Sequence, residues 1–472
     1  KIMRIYMEKS KKAAEDTKYS NLIYNKANYY EKATEKEKKQ IFEFAEGYKT
    51  FISECKTERE CCMEAIAQAK SKGFQEFHFG DKLKSGDKRY FVNRDKGVIL
   101  FKIGSLPLEE QGMRIVVAHI DAPRLDIKQI PVYESDGFCY LKTHYYGGIK
   151  KYQWVTIPLS LHGVVILKDG SKVNINIGDK EDDPVFYISD LLPHLGKNQM
   201  AGKATDIISG EQLNVIIGGL PVVDAEKDKV KINVLKMLYD KYKITEEDFI
   251  SSELCVVSAA RARDVGFDRA LIGGYGHDDR SCSYPSMQAI FDVQNENTAM
   301  CILVDKEEIG SEGNTGIKCK VYEDLIDEIC QALGANSRQV RGRSICLSAD
   351  VTACYDPNFA TVFEKRNAAI ISCGACMNKF TGSGGKSGSS DASAETVAKV
   401  RSIFDANGVV WQAAELGKVD IGGGGTVAKF IAQLNIDTVD IGVPVISMHS
   451  PYELISKADL YSMYKAALAF LK

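Results

Sequence analysis

Several apolar runs in this chain end in residues able to hold a metal. RIVVA runs into His119 and VPVISM into His449. AMCILV is followed by Asp305, Glu307 and Glu308, and SICLSA ends at Asp350. One histidine at a strand end is ordinarily a hydrogen-bonded polar residue, and adjacent acids ordinarily mark a solvated loop. Their recurrence at four run ends changes the reading. In an open α/β sheet, ligand sites form at the carboxyl ends of the strands. Four strands bringing imidazoles and carboxylates to one edge make a metal cleft. His119 and Asp121 are two apart, hence on one side of an extended chain. Asp121 can then orient a ligating His119. In GYGHDDRS, Asp278 and Asp279 sit in a glycine-containing loop before a predicted helix, where Asp278 can reach over the strand ends and bridge two ions. Asp278, Glu308 and Asp350 bring three negative charges, with His119 and His449 as neutral ligands. One divalent ion leaves that set anionic; two leave it at +1, which a bound hydroxide cancels. Mixed imidazole and carboxylate donors suit zinc, with cobalt or manganese as substitutes.

The elements that must position these groups follow from periodicity. Residues 8–70 carry apolar side chains at helical spacing (Ile41, Phe44, Ala45, Tyr48, Phe51, Ile52), which predicts two or three amphipathic helices. YFVNRDKGVILFKIG reads as a hairpin turning at Asn93 to Gly97, and RIVVAHID as a buried strand. Between 126 and 262 the texture is β-rich: IPLSLHGVVILKDG, KVNINIGD and QLNVIIGG are short β-branched runs broken by Gly, Asp and Pro. From 263 onward strands and helices alternate, with AAIISCG and VPVISMHSPYE among the expected strands. The pattern is an α/β domain, 1–125 with 263–472, carrying a β-rich insertion at 126–262.

Composition excludes other classes. The 472 residues are 44% hydrophobic and 26% charged, with a net charge of −3, so neither disorder nor a polyanionic partner is indicated. We expect no nucleic acid and no membrane as partner, since no apolar run nears the roughly 20 residues of a span. The first residues contain no signal-peptide core, and Lys1 suggests a missing initiator Met. Thirteen scattered cysteines, an odd number, read as reduced thiols in a cytoplasmic protein. Cys373 and Cys376 form an isolated CxxC and read as buried structural thiols. TGSGGKSGSSDAS imitates a phosphate loop, but the position five before Gly385 is Phe380, which breaks that motif. The glycine run of DIGGGGTVAKF opens a helix whose amides could hold a substrate oxygen. His162 and His144 read as structural.

VVAHIDAPRLD, the GHDDRS loop, DKEEIGSEG, LSADV followed by DPN, and VISMHSPYE occur in the order found in the aspartyl aminopeptidase and aminopeptidase I family. The chain resembles that family along nearly its whole length. The resemblance implies a three-layer, mixed-sheet zinc-peptidase fold with the insertion as a dimerisation domain. It implies two zinc ions per subunit: His119 and Asp350 as terminal ligands of one, Glu308 and His449 of the other, and Asp278 bridging. Glu307 would be the general base acting on a bridging hydroxide, supported by Asp121, and a cis peptide would follow Asp278. Substrates would be peptides with a free N-terminus. His194 in DLLPHLG would complete a neighbouring subunit's site, Lys386 or Lys379 would contact substrate, and the assembly would be a homo-oligomer, a dodecamer built from dimers. Ala353 and Asp356 stand where eukaryotic members carry histidines, which places the chain with a bacterial subgroup. A dinuclear deacylase or carboxypeptidase, or an inactive scaffold, are the alternatives; metal content and cleavage of free against blocked peptides separate them.

Overall fold

The computed structural model describes residues 22–472. Its largest element is a nine-stranded mixed sheet. In spatial order the strands are Gln75–Glu76, Lys88–Asn93, Gly97–Lys102, Thr298–Val304, Met113–His119, Ile345–Ala349, Asp437–Gly442, Ala375–Asn378 and Trp411–Ala413. The four from Thr298–Val304 to Asp437–Gly442 run parallel. They read as continuous apolar runs because helices cover both faces. Val116, Ala118, Cys301 and Leu347 face a layer containing Tyr48, Cys61, Met287 and Phe470. Ile115, Val117, Ile302 and Cys346 alternate onto the other layer, with Tyr322, Ile326 and Ile329. The result is three layers, α/β/α.

The N-terminal helices form as the spacing predicts. Glu35–Glu54 buries Ile41, Ala45, Tyr48, Phe51 and Ile52. Glu58–Ser71 begins with a reciprocal capping box between Thr57 and Glu60, which satisfies orphan amides at the helix start. The part of the predicted helical stretch at 8–21 lies outside the described residues. The hairpin turning at Asn93 to Gly97 is present, with Asn93 paired to Gly97.

A second sheet of six strands is antiparallel throughout: Lys172–Ile177, Leu159–Ile166, Ser252–Ser258, Arg124–Ser135, Phe138–Tyr146 and Val215–Gly218. It packs around its own apolar cluster, which includes Leu125, Trp154, Leu161 and Val256. All thirteen cysteines are unpaired. Among the described residues, no helix is long and apolar enough to cross a membrane.

Two expected strands are corrected. AAIISCG is not a strand; it makes one isolated bridge, Ala369 to Cys354, and the strand starts later, at Ala375–Asn378. The buried Asp459 carboxylate accepts the N–H groups of Ser372 and Gly374, both at 2.7 Å, and so turns the chain. VPVISM pairs at Pro444–Val445 and, through a single bridge to Leu454, at Ile446, and goes no further. Ser447 and His449 take positive φ, 60° and 65°. His449 therefore reaches the sheet edge on a loop rather than at a strand end.

Candidate metal centre

Parallel register builds the centre. Val304 lies beside His119 in the sheet, so the turn Glu307–Ile309 rises directly over that histidine. Asp350 follows the next strand, Ile345–Ala349. Asp278 enters from the first turn of helix His277–Asp292, across a cis peptide to Asp279. Its two oxygens face different imidazoles: Oδ1 is 3.1 Å from His119 Nε2, and Oδ2 is 3.2 Å from His449 Nε2. His449 Nε2 also lies 3.4 Å from Glu308 Oε2, and His119 Nε2 lies 3.9 Å from Asp350 Oδ1. One carboxylate thus stands between two His-plus-carboxylate pairs.

The outer contacts fix these groups. Asp121 is fully buried; its Oδ1 accepts the Glu307 N–H at 3.1 Å and its Oδ2 the Glu308 N–H at 3.2 Å. His119 Nδ1 lies 3.2 Å from Asp121 Oδ1, and the Tyr146 hydroxyl donates to Asp121 Oδ2 at 2.7 Å. His449 Nδ1 donates to the Gly148 carbonyl at 2.8 Å. The His449 N–H donates to Glu453 Oε1 at 2.7 Å.

Burial gives the cluster its electrostatics. Burial, then the neighbouring Asp278, raises Glu308 well above the carboxylate range; burial and Glu307 do the same to Asp350. Glu307 is pushed up to about 7 by burial and by the Asp121 and Asp278 carboxylates. Burial disfavours the His449 cation, but Asp278 and Glu308 outweigh it and carry the ring up to about 10. His119 is likewise raised well above its usual value, burial being overcome by Asp121 and Asp278. Asp278 itself is held below the usual range, because both imidazoles offset its burial. Among the described residues, no Lys or Arg forms an ion pair with Asp278, Glu307, Glu308 or Asp350. Buried Glu308 Oε1 and Asp279 Oδ1 have no hydrogen-bond donor. Ligand atoms of His119, Asp278 and Glu308 lie within 4.8 Å of one another, as do those of His119, Asp279 and Asp350. Unpaired buried anions and orphaned acceptors are costly unless a cation joins them. The donor set of imidazole nitrogen and carboxylate oxygen fits zinc.

The centre opens into a cleft of about 540 Å³. Asp278, Glu307, Glu308, Asp350 and His449 line one side; Asn378, Gly423 to Thr426, Lys429 and Asp440 line the other. The glycine run therefore borders the cleft, where Thr426 Oγ1 donates to the buried Asp440 Oδ1 at 2.7 Å. Lys386 and Lys379 do not line it. They pair with Asp391 at 3.2 and 2.8 Å. His194 is exposed on a loop of the β-rich stretch and does not line the cleft of its own chain. Sequence reasoning missed Tyr146, Gly148, Asn378 and Asp440. Their only sequence mark is placement at or near strand ends, and Tyr146 precedes a glycine pair.

A family model described as aminopeptidase I zinc metalloprotease (M18) matches residues 51–471. The probable M18 family aminopeptidase 1 of Clostridium acetobutylicum is 47% identical over 462 residues, covering 96% of this chain and 99% of the relative. The crystal structure of an M18 family aminopeptidase from Thermotoga maritima superposes with a TM-score of 0.91 at 42% identity, over 95% of this chain and all (100%) of that one. The mApe1 dodecamer of S. cerevisiae shares the fold, with a TM-score of 0.73 at 20% identity, over 90% of this chain and 95% of that one.

Proposed function

The chain belongs to the aminopeptidase I zinc metalloprotease (M18) family, and from that premise we propose how its residues remove N-terminal residues from peptides. The observation that carries the reading is Asp278, whose two oxygens face His119 and His449 separately. We assign two zinc ions, with cobalt or manganese as substitutes: His119 and Asp350 on one, Glu308 and His449 on the other, Asp278 between. Bound there, the metals would acidify a water and polarise the scissile carbonyl.

The protein's own groups do the rest. Glu307 borders the cleft and is the general base; it takes the proton from the attacking water and returns it to the leaving amine. Asp121 keeps Glu307 and Glu308 in register through their backbone N–H groups, so base and ligand cannot move independently. The free α-amine of a peptide would dock beside the metals and the acidic side chains of the cleft, which confines cleavage to the N-terminus.

Residues 126–262 are read as an inserted domain through which subunits pair. Val185, Tyr187, Leu191, Leu192 and Leu195, all within nine residues of His194 along the chain, are exposed, as apolar side chains that an interface covers would be. In this reading His194 reaches a neighbouring subunit's site, and the dimers build a dodecamer. The unpaired cysteines support a reducing compartment, the cytoplasm.

The test is hydrolysis of free and N-acetylated X-Ala peptides by metal-analysed protein, with its assembly size measured by light scattering. We expect about two metals per chain, cleavage of free amines only, and a homo-oligomer. Equal cleavage of acetylated peptides would replace the aminopeptidase reading with a deacylase.

A further inference from the structure

The two imidazoles of the metal centre come from distant parts of the chain, yet one three-residue segment meets the outer nitrogen of His449 directly and reaches that of His119 through Asp121, whose carbonyl and carboxylate both face it. Tyr146 closes the strand Phe138–Tyr146 of the six-stranded sheet, and Gly147 and Gly148 follow it. The Tyr146 hydroxyl donates to Asp121 Oδ2 at 2.7 Å, and Asp121 Oδ1 faces His119 Nδ1 at 3.2 Å. Two residues on, the Gly148 carbonyl accepts from His449 Nδ1 at 2.8 Å. A carbonyl can only accept, so that contact keeps a proton on Nδ1 and leaves Nε2, which faces Asp278 and Glu308, as the nitrogen that would ligate a metal.

The segment is itself anchored. The Tyr146 ring is buried beneath the Arg124 guanidinium, 4.2 Å from its centroid. Arg124 is paired to Tyr146 across the sheet and held by Glu58 and Asp126, both at 2.8 Å. Gly147 has φ +76°, and a Cβ there would lie 3.4 Å from Glu308 Cβ and Pro123 Cβ. That distance is ordinary contact; it is the positive φ that favours glycine at this position.

We infer that the Tyr146–Gly148 segment is a clasp by which the six-stranded sheet orients both histidines of the metal centre, with Tyr146 as a positioning residue acting through Asp121. This rests on the reading of His119 and His449 as metal ligands. Groups in this outer position set ring orientation and ligand basicity, and losing one typically costs about 10- to 100-fold in metal affinity or activity. The clasp also ties the geometry of the centre to the sheet proposed to carry subunit contacts.

The experiment is Tyr146→Phe in the full-length zinc-loaded enzyme, with the exposed neighbour Tyr145→Phe as control. Phenylalanine keeps the ring under Arg124 and removes only the hydroxyl. We expect zinc to be lost at about 10-fold lower chelator concentration, kcat to fall about 10-fold and KM to stay within about 2-fold. The metal-free variant should melt with metal-free wild type, and Tyr145→Phe should match wild type throughout. Wild-type chelator midpoint and kcat in Tyr146→Phe would overturn the clasp. So would a lower melting point of the metal-free variant with metal retention unchanged, since the hydroxyl would then serve only folding. Wild type that binds no metal would sink the ligand assignment instead.

Discussion

Two buried clusters in this molecule combine histidine with carboxylates, and their chemistry diverges. One is the metal centre. The other lies where the N-terminal helices meet the six-stranded sheet: His162 Nδ1 is 2.8 Å from Glu60, its Nε2 is 3.3 Å from Asp179, and Lys56 Nζ donates to Asp179 at 2.6 Å. His162 and Asp121 are equally inaccessible, although the metal centre opens into a cleft on its other side. The difference is charge closure. In the second cluster two acids meet a lysine and an imidazolium of the same chain, and Glu60 Oε2 also accepts the N–H groups of Lys56 and Thr57. In the metal centre, acids outnumber the two imidazoles, and no Lys or Arg among the described residues answers Asp278, Glu307, Glu308 or Asp350. Burial of His and Glu together does not mark a metal site; burial without a countercharge does.

The sharpest break of this comparison is Glu307→Gln. The substitution keeps size and removes the base, so kcat should fall about 100- to 10,000-fold while zinc content stays that of wild type. Turnover within about 10-fold of wild type at full metal loading would remove Glu307 from its role. The mirror experiment is His162→Leu. It strips the countercharge from Glu60 and Asp179, and breaking a buried pair costs about 3–5 kcal/mol. Denaturant unfolding should show that loss, whereas zinc content and kcat of the folded fraction should match wild type. Loss of zinc in His162→Leu would mean that the two clusters are coupled after all.

The metal centre was the more legible of the two. His119, Glu307, Glu308 and Asp350 follow continuous apolar runs, and parallel pairing of such strands brings their ends to one edge whatever the helices do. The α/β layers were legible for the same reason. His449 is the exception within the centre: Ser447 and His449 leave the strand conformation, so its arrival depends on a loop that periodicity does not describe. The AAIISCG run misled because Asp459, 87 residues downstream of Ser372, captures the amides that a strand would have used. The second cluster was barely legible. His162 and Glu60 stand 102 residues apart, and the one spacing signal there, the Thr57–Glu60 capping box, marks a helix start rather than a partner for His162. Tyr146 was invisible likewise, since its bond to Asp121 exists only once strand Phe138–Tyr146 pairs with Arg124–Ser135 in a register that sets Tyr146 beside Arg124.

The smallest effect in this set is also the one that best separates a charge-closed cluster from a metal-dependent one. Burial lowers the His162 pKa, but hydrogen bonds to Asp179 and Glu60 outweigh it and raise the ring from 6.5 to about 9. The folded state therefore holds this proton more tightly than the unfolded chain does. The resulting stability is fully present below pH 6.5 and disappears as pH rises through about 9. At about 1.4 kcal/mol for each tenfold gain in proton affinity it amounts to about 3 kcal/mol. Asp179 supplies the opposite edge. Burial raises its pKa, but His162 and Lys56 prevail and bring it down from 3.8 to about 2. Its contribution is present above pH 3.8 and is lost as pH falls through about 2. The stability difference between wild type and His162→Leu should therefore be largest on the plateau between these edges and shrink by about 3 kcal/mol between about pH 6 and about pH 9.5. Comparison with the variant cancels the titration of the metal centre, which both proteins share. An unfolding difference that stays constant over that range would mean that His162 contributes packing rather than charge, and charge closure in this cluster would then rest on Lys56 alone.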